Sequence, residues 1–104
     1  MPDGFNINNR REITSLTARN RFPAVYPQRI YPEVGGLIFY GNDPLDNFRR
    51  AAIYADRILR GTKASELPVQ VPVKFGLVIN LKTAKALGLD VPLRIQQLAD
   101  EVIE

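Results

Sequence analysis

The sequence predicts an α/β fold that is incomplete by itself. Three apolar segments are typical of short strands, and amphipathic helices alternate with them, which is the order of an α/β sheet with parallel pairs. Parallel sheets have both faces covered and need more neighbours than three strands provide. We therefore expect about three strands and three to four helices, completed by another copy of the chain, by another protein or by the rest of a larger protein.

The first predicted elements are a helix and a short strand. Residues 8–20 place Ile13 and Leu16 on one narrow face, and Pro23 follows, which predicts a helix. Residues 23–26 (PAVY) are a short apolar run between prolines and predict a buried strand. Residues 28–34 (QRIYPEV) then predict a loop or a single turn.

The second predicted strand leads directly into the clearest helix. Residues 36–40 (GLIFY) contain no polar group before Tyr40, as in a strand that is covered on both faces. Asp43 is a natural N-cap and Pro44 suits the first helical position. The sequence therefore predicts a helix over residues 43–60, with a left-handed cap at Gly61.

The predicted helix has one apolar face. Its residues recur at helical spacing and form a stripe that we expect to be buried: Leu45, Phe48, Ala52, Ala55 and Leu59.

A long extended segment and two short helices complete the chain. Every odd residue from Val69 to Ile79 is apolar, so the period is two. Pro72 and Gly76 are awkward within one continuous ladder, and we expect the segment to change partners between them. Residues 83–89 predict a short helix closed by Gly88, and residues 92–104 predict a last helix.

The composition excludes several classes of function. The 104 residues include no Cys and no His, which excludes disulfides, thiolate or imidazole metal sites, and Cys–His or Ser–His–Asp catalysis. A net charge of +3 is too small and scattered to predict a nucleic-acid partner. No apolar run reaches the roughly 20 residues that span a bilayer. The first residues lack the pattern of a signal peptide, so the chain as written is expected in the cytoplasm.

Four segments carry a resemblance to a known family: PAVY, GGLIFYG, AAIYADRILRGTKASELPV and KFGLVINLKTAKALGL. From Asp3 to Glu104 the chain resembles the C-terminal third of the substrate-binding proteins of ABC-type uptake transporters, which are periplasmic or lipid-anchored. The resemblance implies a type I periplasmic-binding fold, in which crossovers join two lobes and a small solute is trapped between them. It implies no chemistry and no cofactor.

The resemblance also implies a role for each part of the chain. Residues 1–35 and 77–104 would belong to the second lobe, and residues 40–68 would carry the helix of the first lobe. Residues 36–43 and 69–79 would be crossover segments. The implied partners are a transporter permease and a small organic solute such as an amino acid or an aromatic acid.

Six residues are candidates for contact with this solute, because the resemblance places them in loops at the hinge or at strand ends: Tyr40, Tyr26, Asp3, Phe5, Asn42 and Asp43. Each tyrosine has an alternative role as a core aromatic with a solvated hydroxyl, and Asp43 is first a helix cap. The chain departs from the family pattern at Phe39, where members usually carry a small polar residue, so this ring is expected to fill part of the cleft.

The sequence allows one alternative function and disfavours another. The chain is alternatively a self-associating truncated α/β protein without ligand or transport role, since its few strands leave sheet edges open. Catalysis is disfavoured, because Asp43 and Asp46 are explained by helix capping, and Asp100 and Glu101 fall on the last predicted helix without a partner.

Overall fold

A computed structural model describes residues 3–104 of the chain. These residues divide into two compact units. The first unit comprises the chain up to Gly41 together with Gly76–Glu104, and the second comprises Asn42–Phe75.

The described residues form a mixed α/β structure with six α-helices and four strands. The helices are α1 (Gly4–Asn8), α2 (Arg10–Arg19), α3 (Ile30–Glu33), α4 (Pro44–Leu59), α5 (Leu81–Ala86) and α6 (Leu93–Leu98). The strands are β1 (Val25–Tyr26), β2 (Ile38–Asn42), β3 (Phe75–Asn80) and β4 (Glu101–Ile103), and a 3₁₀ turn covers Ala64–Glu66.

The strands form one sheet in the order β1-β2-β3-β4. Strands β1 and β2 are parallel, with Tyr26 opposite Phe39, and β3 and β4 are also parallel, with Ile79 opposite Val102. Strands β2 and β3 run antiparallel. This orientation is indicated by the hydrogen bond from the N–H of Asn80, at the end of β3, to the carbonyl of Leu37, just before the start of β2. The predicted parallel pairs are therefore present in a mixed sheet.

Strand β4 lies in a segment that the sequence predicted as helix. The last predicted helix, over residues 92–104, ends at Leu98, and Ala99 already has extended angles. Asp100 then pairs with Leu77, since its N–H donates to the Leu77 carbonyl over 2.8 Å and its carboxylate accepts from the Leu77 N–H over 2.7 Å. The edge of β3 thus gives Val102 and Ile103 strand partners, which overrides the helical spacing.

The helix over residues 43–60 is confirmed, but its predicted burial is wrong. Asp43 is the N-cap, Pro44 begins the helix, and Gly61 has a φ of +104°. The apolar stripe is exposed instead: Phe48 is 75% and Leu59 87% exposed. The spacing of apolar residues shows which face of a helix can be buried, whereas burial itself needs a second element that covers this face.

The long extended segment is also only partly a strand. Strand β3 begins at Phe75, and the odd-numbered residues before it, Val69, Val71 and Val73, are exposed. Among the described residues, the segment before Phe75 therefore lacks the strand partners that the sequence predicted for it. Near its end, the Lys74 carbonyl accepts one hydrogen bond from the Asp43 N–H. Proline at position 72 provides no N–H for a ladder, which agrees with this result.

The core lies in the first unit. Its buried side chains come from the strands, from α5 and from the connection after β1: Tyr26, Tyr31, Leu37, Phe39, Val78, Ile79 and Ala84. Two buried polar side chains join these elements. Thr14 Oγ1 contacts the Val34 carbonyl at 3.3 Å, and Asn80 Nδ2 donates to the Pro32 carbonyl over 3.0 Å.

Candidate ligand-binding edge

The carboxyl ends of β1 and β2 lie at one edge of the sheet. Tyr26 is the last residue of β1 and stands opposite Phe39, so Tyr40 lies one residue further along β2. In open α/β sheets, the carboxyl ends of parallel strands are the usual location of ligands. The two predicted tyrosines are therefore on neighbouring strands at a suitable edge.

Tyr40 is the more accessible of the two tyrosines. It is 56% exposed, whereas the preceding residue, Phe39, is buried. Successive side chains of a strand point to opposite faces, which accounts for this contrast. Tyr40 therefore presents an aromatic ring to solvent near the end of β2, where the sequence predicted a ligand contact.

Tyr26 has a structural role in the core. Its ring stacks on Tyr31 with a centroid separation of 4.6 Å and an interplanar angle of 9°. Its hydroxyl lies 2.8 Å from Thr17 Oγ1 on α2. The ring of Tyr26 thus packs on Tyr31, and its hydroxyl contacts Thr17. Of the two roles that the sequence left open for Tyr26, these contacts fit the one of a core aromatic.

Asp43 combines a helix cap with an ion pair inside the second unit. Its Oδ1 accepts from the N–H groups of Leu45 and Asp46 over 2.9 and 3.4 Å, and Lys74 Nζ lies 3.2 Å from Oδ2. Partial burial works to raise the pKa of Asp43, but the hydrogen bonds from Lys74, Asp46 and Leu45 outweigh it and hold this pKa below its ordinary value. The sequence missed Lys74, although its place beside apolar residues in an extended segment was visible.

The remaining candidates lie at other points of the chain. Asn42 is the exposed last residue of β2. Asp3 is the N-cap of α1 and accepts from the Asn6 N–H over 2.7 Å, while Phe5 is an exposed residue of the same helix. Helix α1 packs on α2, so Asp3 and Phe5 are placed by helix contacts and the tyrosines by the sheet.

Phe39 has neighbours that the sequence did not predict. The ring lies so close to Gly41 and Gly76 that a Cβ atom there would stand 3.0 and 2.9 Å from ring carbons. The ring is thus part of the sheet's packing at the carboxyl edge of β2. The sequence indicates the unusual size of Phe39 and shows Gly76 as an awkward residue within a strand, but it does not indicate that this ring contacts both glycines.

Among residues 3–104, each of the two best-formed cavities lies within a single unit. The one in the first unit holds about 10 Å³, close to the space of one water molecule. The one in the second unit is an open depression of about 190 Å³ between α4 and residues 70–72, beside the hydrogen bond from the Tyr54 hydroxyl to the Pro68 carbonyl. Both are smaller than the roughly 300 Å³ at which typical ligand pockets begin.

Residues 3–104 contain no group of three or more acidic side chains that could hold a metal ion. None of the helices in this range has the length and apolar character needed to cross a bilayer.

Solved structures share this fold over nearly the whole chain. A conserved domain protein from Vibrio cholerae has 25% identity and a TM-score of 0.84, with 96% of this chain and 34% of that chain covered. A Streptococcus pneumoniae ABC domain in complex with L-Trp has 27% identity and a TM-score of 0.81, covering 97% and 35%. The ligand-free, open structure of a Clostridium difficile substrate-binding protein with adhesive properties has 21% identity, a TM-score of 0.65 and coverage of 97% and 34%, and supports the fold alone.

The family assignment comes from a match over almost every residue. The chain spans about a third of the length of the solved chains, so it is an incomplete part of their fold, as expected from the sequence. A comparison with curated proteins gave no match. The model of the family described as "ABC transporter substrate binding protein" matches residues 3–103. The chain therefore belongs to the ABC transporter substrate-binding protein family, and the resemblance found in the sequence is confirmed.

Proposed function

We propose that this chain acts in the solute-binding component of an ABC-type uptake transporter, where it contacts a small organic solute without changing it chemically. The observation that carries the proposal is the exposure of Tyr40, 56% for the residue, near the carboxyl end of β2 in a chain of this family. The transporter permease would be the protein partner. Members of the family are expected in the periplasm or on a lipid anchor, whereas the chain as written is expected in the cytoplasm, and both stay predictions.

An amino acid with an aromatic side chain is the solute class that we favour. The Streptococcus pneumoniae relative was solved with L-Trp. The ring of Tyr40 offers a flat surface on which an aromatic solute can stack, and such pairs contribute about 0.5–1.5 kcal/mol beyond the area that they bury. Aromatic acids remain within the same proposal, because they share the flat ring and the carboxylate.

Asn42 and Asp43 supply polar groups close to Tyr40 in sequence. The exposed amide of Asn42 can donate to a solute carboxylate and accept from an ammonium group. Asp43 is ionised at neutral pH, but its oxygens already accept from α4 and from Lys74. We therefore assign direct contact to Tyr40 and Asn42 before Asp43, and a supporting role to Tyr26.

Titration calorimetry and ¹⁵N-labelled NMR of the chain against L-Trp, L-Phe, L-Leu and benzoate test this proposal. We expect L-Trp to shift the amide signals of Tyr40 and Asn42, and Tyr40→Ala to weaken binding at least about fivefold, the equivalent of losing one stacking contact. Phe22→Ala is the matched control, since Phe22 is another exposed aromatic residue (63%) but precedes β1, and its loss should leave the affinity within about twofold. Absence of binding both by this chain and by a two-lobed protein that contains it would reject the proposal.

Self-association without a ligand is the second candidate, and the exposed apolar face of α4 favours it. A 16-residue helix with such a face gains free energy when another apolar surface covers it. Light scattering at micromolar concentration should then give a mass above the 11.7 kDa of one chain, and Phe48→Gln should lower it. A monomer that binds solute would contradict this candidate.

A further inference from the structure

The ring of Phe39 occupies the space beside two glycines on neighbouring strands. A Cβ atom at Gly76 would stand 2.9 Å from Phe39 Cε1, and one at Gly41 would stand 3.0 Å from Phe39 Cε2. Neither glycine belongs to the set with positive φ, which comprises Gly35, Gly61 and Gly88. These two positions therefore require glycine for lack of space and not for backbone freedom.

The same glycines mark the points where the chain leaves and re-enters the first unit. Gly41 is the last residue of this unit before the second unit, and Gly76 is the first residue after it. Phe39, which is only 4% exposed, thus lies against both of these glycines. In the sequence, exposed Tyr40 lies between Phe39 and Gly41.

We propose that Phe39 is a positioning residue, which fixes β2 against Gly41 and Gly76 and thereby sets the direction in which Tyr40 projects. Phe39 and Gly41 flank Tyr40 in β2, so packing of the Phe39 ring against Gly41 and Gly76 restrains the backbone on both sides of Tyr40. The inference deepens the proposed solute-binding function. It rests on that function only in assigning solute contact to Tyr40.

A double-mutant cycle tests the packing step. Gly76→Ala should destabilise the chain, because its new methyl group meets the Phe39 ring. Phe39→Leu removes the ring carbons at that point, so we expect the two changes to be coupled by about tenfold in the unfolding equilibrium constant. Gly41→Ala is the contrast: its methyl group would also stand 2.8 Å from the Pro27 carbonyl oxygen, so Phe39→Leu should not rescue it.

Ile79→Val serves as the control background, since Ile79 is fully buried in the same sheet but is not among the atoms nearest to Gly76. Its combination with Gly76→Ala should be additive within about twofold. Additivity of Phe39→Leu with Gly76→Ala would overturn the inference.

Hydrogen exchange at single amides separates positioning from ordinary core packing. Phe39→Leu should accelerate exchange at Tyr40, Gly41 and Gly76 severalfold and leave the amides of α5 unchanged. A uniform acceleration across the first unit would reject the positioning role. Should Phe39→Leu not fold, Gly76→Ala alone must accelerate exchange at Tyr40 and Gly41, and no change there would reject it equally. Both readouts are made without solute, so they stay decisive if the proposed solute binding fails.

Discussion

Asp43 and Lys74 are joined twice within the second unit. The N–H of Asp43 donates to the carbonyl oxygen of Lys74 over 3.0 Å, and Lys74 Nζ lies 3.2 Å from Asp43 Oδ2. Asp43 also caps α4. One aspartate therefore connects the start of the long helix with the extended segment that returns from it.

The two functions of Asp43 are separable by substitution. Asp43→Asn keeps an oxygen that can cap α4 but loses the charge, and Asp43→Ala loses both. Lys74→Met removes the cation alone. We expect the melting temperature, followed by circular dichroism, to fall least for Lys74→Met and most for Asp43→Ala, by a few degrees. Equal effects of Asp43→Asn and Asp43→Ala would contradict the capping role.

The ion pair and cap also predict a dependence of stability on pH. The pKa of Asp43 is held below its ordinary value of 3.8 in the folded chain, so folding favours the ionised carboxylate. Its stabilising effect is therefore complete above that value and is lost as the pH falls through the lower folded pKa. The difference in unfolding free energy between the wild type and Asp43→Asn should be constant from pH 5 to 7 and shrink below about pH 4. A difference that grows on acidification would show that the shift has the opposite sign.

Asn80 connects the end of β3 with two other segments and should be costly to replace. Its Oδ1 accepts from the Thr83 N–H at the start of α5, and its Nδ2 donates to the Pro32 carbonyl. Asn80→Ala removes a helix cap and leaves a buried carbonyl without this donor, so we expect a loss of about 2 kcal/mol in urea denaturation. The same change at exposed Asn20 should stay within about 0.5 kcal/mol. Similar losses at both positions would contradict a special role for Asn80.

Gly36 should tolerate no side chain. A Cβ there would stand 2.8 Å from Tyr26 Cε2 and 2.9 Å from the Tyr31 carbonyl, while the Gly36 N–H is bound to that carbonyl. Gly36→Ala should therefore cost about 1–3 kcal/mol, as in other overpacked sites. Gly4→Ala is the control, because that position is open and helical, and alanine should stabilise it slightly. Thermal unfolding of the two variants checks that Gly36→Ala is the less stable. An unchanged melting temperature for Gly36→Ala would contradict the prediction, because Tyr26 and Tyr31 would then move aside at little cost.

Much of the local structure follows from short stretches of sequence. Asp43, Pro44 and Gly61 determine the start and end of α4 through capping and left-handed backbone, which depend on a few neighbouring residues. The alternation in residues 69–79 likewise indicates an extended chain, whichever partner it has. The family is also recognisable from the sequence and is confirmed by the match over residues 3–103.

The tertiary structure decides what these elements touch. Strand β4 exists because Leu77 offers a free backbone edge to Asp100, and the stripe of α4 is exposed because nothing among residues 3–104 covers it. The candidate site shows the same division. The sequence by itself determined that Tyr26 ends its strand and that Tyr40 lies near the end of the next, which the structure extends to Asn42. Only three-dimensional packing decided that Tyr26 stacks on Tyr31 in the core while Tyr40 is exposed, because burial depends on neighbours that are distant in the chain.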